Sequence, residues 1–269
     1  MYCWLVAPQL SFLHVYDGGL IGLDNACIHA DNTFVSCMDT RLPIAERANC
    51  TKVWHHSWVH DCREKGVRGD DQNVNLSIHH LVVYNNGEGR DGGDRNIVDA
   101  TGVIVKGDYN KAYQLTIFNT SGPAQGDLCM VTKGRPQQNA HSIVLNTVAK
   151  VITNQGGPVW PKASFRAWNA VDQLSQREMK LRDVANFDFR PLPDSPLRGT
   201  GVVHEPEVPR RSDGKAPDVG AYQADDVSPW IPGCTFHESC APPPPPWWPP
   251  PRPGLRRTAR AARTWPAWP

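Results

Sequence analysis

The chain has 269 residues, eight cysteines and a formal charge of +1 at neutral pH. That charge hides an asymmetry: Arg252, Arg256, Arg257, Arg260 and Arg263 lie in the acid-free last 29 residues, leaving 23 basic against 27 acidic residues before them, a body of −4, which excludes a generally basic nucleic-acid surface. No run of 18 apolar residues occurs, so no helical membrane span is expected, and the cysteine spacings hold no paired Cys-x-x-Cys zinc pattern.

Residues 1–48 are the least legible. Leu20–Leu23 and Thr33–Ser36 suggest short strands of partial rungs, with turn signals at Asp17-Gly-Gly19 and Asp31-Asn32. The start, Met1-Tyr-Cys-Trp-Leu-Val-Ala-Pro8, lacks the basic and apolar regions of a signal peptide, so a secreted chain would have lost its N terminus. Three sequons, at Asn49, Asn75 and Asn119, nevertheless point outside the cytoplasm and, with the cysteines, to some disulfides.

From 49 to 157 four segments superpose: Trp54–Asp61, Ile78–Asn85, Ala112–Asn119 and Ala140–Thr147, offset by 24, 34 and 28 positions. Their fourth and sixth positions are mostly aliphatic (Leu81 and Val83, Leu115 and Ile117, Ile143 and Leu145), the alternation of a strand with one buried face. Units this short cannot bury their own face and must stack. Glycine corners at Gly69, Gly107 and Gly134 precede successive copies, and no helical pattern separates the strands as a βαβ array requires. These features predict coils of a parallel β-helix. The glycine-rich run Gly87–Asp94 reads as a loop leaving the solenoid.

Residues 158–233 change character. Ala170–Arg182 has helical propensity, and a helix there would cover the exposed end of the stack; an extended strap then runs to Gly233. From Cys234 a cysteine loop and a tail with 11 of the 25 prolines and 4 of the 10 tryptophans read as polyproline II and otherwise disordered, a spacer rather than a ligand for other domains.

The rungs Val74–Asn86 and Gly107–Asn119, with the closing segments Asp188–Leu197 and Pro217–Tyr222, resemble those of the right-handed parallel β-helix proteins that include pectate-lyase-like polysaccharide enzymes. The resemblance covers roughly residues 49–232. It implies an all-β right-handed solenoid, a monomer, extracellular or at the cell surface, and a carbohydrate-active role on an acidic polysaccharide as a lyase or glycosidase. A non-catalytic polysaccharide-binding solenoid is the alternative, since this fold hosts both.

The aligned corners put Arg68, Lys106 and Lys133 in one column, a cationic stripe at the ~4.8 Å spacing of rungs, close to the repeat of a uronate chain. Arg135, Arg90 and Tyr113 are further expected substrate contacts. For β-elimination Arg68 or Lys106 would neutralise developing charge while a lysine (Lys106) or His79 takes the proton. Calcium on Asp70, Asp71 and Asp108 would serve the same neutralising role, and Asp70 with Asp108 is the carboxylate pair a glycosidase would need. The bland alternative is that these acids only pair with the cations. No other cofactor is implied. The histidines form a second expected column, His55, His79, Tyr113 and His141, with His56 and His80 alongside: a structural ladder at a bend, with a catalytic base or a metal site as alternatives. A metal on His56, His60 and Cys62 is disfavoured, because strand residues at that spacing do not converge.

Overall fold

The computed structural model describes residues 9–16, 26–30, 52–62, 64–69, 75–87, 101–107, 109–120, 127–131, 142–150, 152–155, 165–168 and 175–232, all within the chain's first unit, Met1–Phe236. The strands expected at 20–23 and 33–36, the loop beyond Gly87 and the proline-rich tail lie outside these residues.

Strands β1 (Gln9–Ser11), β2 (His14–Tyr16), β3 (Ala26–Ala30), β4 (Lys52–His60), β5 (Lys65–Gly69), β6 (Leu76–Tyr84), β7 (Thr101–Lys106), β8 (Lys111–Phe118), β9 (Leu128–Val131), β10 (Ser142–Leu145), β11 (Ile152–Gln155) and β12 (Phe165–Trp168) form two parallel sheets. One runs β1-β4-β6-β8-β10-β12, with β2 also on β4, and the other β11-β9-β7-β5-β3. From β2 onward consecutive strands alternate between the sheets, so each pass of the chain adds one rung to both. The architecture is the expected all-β parallel β-helix. A rung, β1 to β3, is present in the N-terminal stretch where partial rungs are expected, formed by residues that the sequence pattern does not single out.

The long strands β4, β6 and β8 are each bent once, at His56, His80 and Gln114, which have φ of 50°, 52° and 53°. Phe12 (φ 56°) and Asn146 (φ 44°) occupy the same register in the first and last of these rungs. A left-handed residue reverses the in–out alternation for one position, so each bent strand presents two flat faces. Inside, Trp54, Ile78, Ala112 and Val144 line one face and Val59, Val83 and Ile117 the other, meeting Val67, Val103, Val105, Leu128 and Met130 of the second sheet in one buried core. Each Val, Leu, Ile or Met among them contributes ~1.5–3 kcal/mol on burial.

The first three sequence registers are as expected, Trp54 to Ile78 to Ala112. The fourth is not. Leu145, not His141, lies beside Tyr113, a shift of four positions that keeps the alternation. The shift puts an asparagine, Asn146, rather than Ser142 at the left-handed bend, and asparagine tolerates that conformation better than most residues.

Residues 175–232 form a strap. Its helical part is a single turn, α1 (Gln176–Met179), shorter than the propensity suggests; Ser175 and Glu178 cap it reciprocally, and Lys180, in the left-handed region, ends it. A small antiparallel pair, β13 (Leu181–Asp183) and β14 (Asp188–Pro191), follows. The strap does not close the end of the stack as expected. It packs on the side, over the outer faces of the bent strands: Met179, Phe189, Leu197, Val219 and Tyr222 bury Trp58, Val82, Tyr84 and Phe118. Those outward positions are apolar and aromatic where a solvated strand face would be polar, so an outer cover is obligatory. Polar pins fix it: Ala221 N–H donates to Thr116 Oγ1 at 2.9 Å, and Trp58 Nε1 donates to the Tyr222 hydroxyl at 2.8 Å, which donates to the Trp230 carbonyl at 2.9 Å.

A disulfide joins Cys27 of β3 to Cys62 after β4. Its 35-residue separation gives ~3–4 kcal/mol by loop entropy, and replacing both cysteines by serine is expected to lower denaturant stability by that amount. Tyr222→Phe leaves the buried Trp58 N–H without an acceptor and is expected to cost ~1–3 kcal/mol. A urea midpoint equal to that of the unaltered protein would show that the relay does not hold the strap.

Candidate functional site

The outward positions just before the bend carry His55, His79, Tyr113 and Leu145, in register across β4, β6, β8 and β10. Parallel pairing stacks like positions one rung apart, so the rings lie face to face: His55 and His79 at 5.0 Å and 4°, His79 and Tyr113 at 4.7 Å and 10°. At the bend itself His56 stacks on His80 at 4.7 Å and 4°, and Phe12 on His56 at 5.3 Å. The left-handed backbone turns the second histidine of each pair toward the first. His55 Nδ1 lies 2.6 Å from His56 Nδ1, and His79 Nδ1 2.9 Å from His80 Nδ1.

The result is a tetrad of four half-buried imidazoles. Its borders are Phe12 in the rung before, Tyr113 in the rung after, and Trp230 of the strap, whose ring meets His56 edge-on at 5.1 Å. One ligand nitrogen from each of His56, His79 and His80 falls within 4.8 Å of the other two. Burial, reinforced by the neighbouring imidazoles, pushes His56 down to about 4 and His79 to about 3, and holds His80 well below the usual histidine range. His55 is lowered by burial. Burial raises the Tyr113 hydroxyl, against a hydrogen bond with Ser77. The tetrad is therefore neutral near pH 7. Burial and its imidazole neighbours make His79 a weaker base than an ordinary histidine. His79 is poorly suited to the proton abstraction expected of it.

Below the tetrad the strap reaches the same outer face. Val208 packs on Tyr113 and Leu145, and Lys111, on the Tyr113 face two positions earlier, forms an ion pair with Glu207, which also meets His204 at 3.1 Å.

Among the described residues, Arg68 and Lys106 do not share the expected column. Arg68 stands in register with Ile104, and Lys106 with Val131; Arg68 is buried at 6% exposure. The corners differ in length from rung to rung, so aligning their glycines displaces the cations by two positions along the strands. Gly69 accordingly pairs with Val105, not Gly107. Both residues belong to the second sheet, away from the ring ladder. Asp70, Asp71, Arg90, Asp108, Lys133, Arg135 and His141 lie outside the described residues. Of the expected site residues, then, His79 and Tyr113 come together, while Arg68 and Lys106 share a sheet with neither. Cys62 is committed to the disulfide, and His60 stacks on Tyr84 at 4.6 Å and bonds Asp61 at 2.5 Å, so neither joins a site with His56. The signal that identifies the tetrad in the sequence is the His-His dipeptide repeated at a spacing of 24.

The chain matches no protein-family model and no curated protein sequence. Among solved structures it is similar to the crystal structure of pectate lyase Pel9A, at a TM-score of 0.34 and 12% identity over 64% of this chain. The match spans about half of that chain, 51%.

Gln114 holds the bend below the tetrad with its Oε1 buried and no hydrogen-bond partner among the described residues. Gln114→Asn places a residue that tolerates φ > 0 next to Asn146 in the bend column and is expected to raise stability by ~0.5–1 kcal/mol. Thermal denaturation checks this, and a fall in Tm would refute the account of the bend.

Proposed function

We propose that the protein is a polysaccharide-binding β-helix in which an extended glycan lies along the His55–His79–Tyr113 ladder. The observation that carries this is spacing. Rings recur every 4.7–5.0 Å along the solenoid axis, close to the ~5 Å rise set by parallel rungs and to the length of a sugar unit; His55 and His79 present half-buried hydrogen-bonding edges, and Tyr113, 7% exposed under Val208, ends the row. Polar groups at that repeat can hydrogen-bond successive sugars with one geometry. Lys111 on the same outer face, 37% exposed and paired with Glu207, can serve an acidic glycan by exchanging that carboxylate for one of the glycan's, and the Cys27–Cys62 disulfide favours an extracellular or cell-surface setting. The weak basicity of His79 favours binding over turnover. Lyase or glycosidase action on the same class of glycan is the second outcome the test separates.

A panel of acidic and neutral polysaccharides tests the proposal by calorimetry, with product formation followed alongside. Binding of at least one extended acidic glycan is expected, without unsaturated product or new reducing ends. His55→Ala and His79→Ala each remove a hydrogen-bonding edge worth ~0.5–1.5 kcal/mol, a roughly 2- to 13-fold loss of affinity. Lys106→Ala, on the other sheet, is expected to leave affinity unchanged. A binding loss confined to Lys106→Ala would move the site to the second sheet, and accumulation of product would replace the binding function by an enzymatic one.

A further inference from the structure

Two consecutive rungs each place a histidine pair at one register, and in both the second histidine is left-handed. The backbone thereby converts two sequence-adjacent side chains, which on a straight strand would point to opposite faces, into a converging pair. Rung stacking superposes the two pairs.

We propose that this tetrad binds one divalent transition-metal ion of borderline softness, of the zinc and copper class, with His56, His79 and His80 as ligands and His55 orienting His56. Three nitrogens within 4.8 Å of one another are the main support. A four-coordinate ion with metal–nitrogen bonds of ~2.0–2.1 Å holds its ligand nitrogens ~2.9–3.4 Å apart. The His79–His80 nitrogens already sit at 2.9 Å, and the remaining rings need to close by no more than ~1–2 Å, within reach of side-chain torsions. Donor chemistry sets the class. Imidazoles suit zinc, copper and nickel, while calcium and magnesium need oxygen ligands, and among the described residues the three-ligand cluster is all nitrogen.

The surroundings fit as well. A ligating histidine generally engages a partner through its second ring nitrogen, and His55 Nδ1 is placed to do this for His56 at 2.6 Å. Phe12, Tyr113 and Trp230 pack rings around the tetrad, which lowers the local dielectric and limits water. The third rung carries Tyr113-Gln114 in place of His-His, so the site is confined to two rungs. Three protein ligands leave a fourth position for water or an added ligand, the arrangement of open rather than closed zinc sites.

Full-length protein stripped with chelator and titrated with Zn2+ by calorimetry, without glycan, tests this independently of polysaccharide binding. One equivalent is expected to bind, with Ca2+ giving no heat at the same concentration. His56→Gln and His79→Gln are each expected to weaken Zn2+ binding at least tenfold, while His14→Gln, in the separate His14–His60 pair (2.7 Å), leaves it unchanged. Co2+ added to the unaltered protein gives a readout that needs no variant to fold: a visible ligand-field spectrum of nitrogen-bound cobalt, displaced by Zn2+. Absence of that spectrum, absence of a stoichiometric Zn2+ event, or equal affinity in folded His56→Gln and His79→Gln would overturn the site.

Discussion

The left-handed column Phe12, His56, His80, Gln114 and Asn146 is the constraint on which the rest depends. Each non-glycine residue there sits in a conformation that costs roughly 1 kcal/mol or more, and five rungs accept that cost at one register. In return a nine-residue strand such as β4 turns a corner without breaking its ladder to the next rung. The corner closes the interior around Trp54, Ile78, Leu81 and Leu115. A slip of one rung by one residue would move a bend into a straight strand and eject its neighbours from the core, so the column fixes register as well as shape.

The outer faces follow from the same corner. On one side of it the outward residues are Trp58, Val82, His60, Tyr84 and Phe118, and the strap is anchored across them through Tyr222, Phe189 and Leu197. On the other side they are His55 and His79, half-buried, and Tyr113, buried beneath Val208 of the strap, with Glu207 reaching the far end. A solenoid has two kinds of outward surface, one to be hidden and one to be offered. Here the division falls at the bend, and the histidine tetrad lies on the boundary with Trp230 of the strap at its rim.

Period-two alternation with no intervening helix made the solenoid legible, and the registers of Trp54, Ile78 and Ala112 follow from apolar pattern alone. The fourth register was hidden because 28 and 32 keep the same alternation; only the backbone demand at the bend, met by Asn146, separates them. A partial N-terminal rung was expected, but its strands were not located, because Gln9–Tyr16 is short and bears His14 and Phe12 where apolar alternation would be the signal. The cationic stripe rested on aligning glycine corners, yet corners are where rungs differ in length, and the paired strands decide which cations are neighbours: Arg68 meets Ile104. The strap's route along the side was also hidden, because an exposed-looking apolar strand face and its cover are far apart in the chain, 164 residues from Trp58 to Tyr222.

The histidines form the stacked ladder expected at the bend, but strand logic alone does not reach their convergence into a cluster. Along one strand, His56 and His60 diverge, which is the correct geometry for an extended chain and argues against a site. Across rungs the relation inverts: residues 24 apart in sequence lie one rung apart in space, and 4.7 Å stacking of His56 on His80 brings together nitrogens that no local spacing rule would pair. A β-helix thus builds its clusters perpendicular to the chain. A dipeptide that means little once becomes a four-ring cluster when it recurs at the rung length, provided that a left-handed residue turns its second member back toward the first.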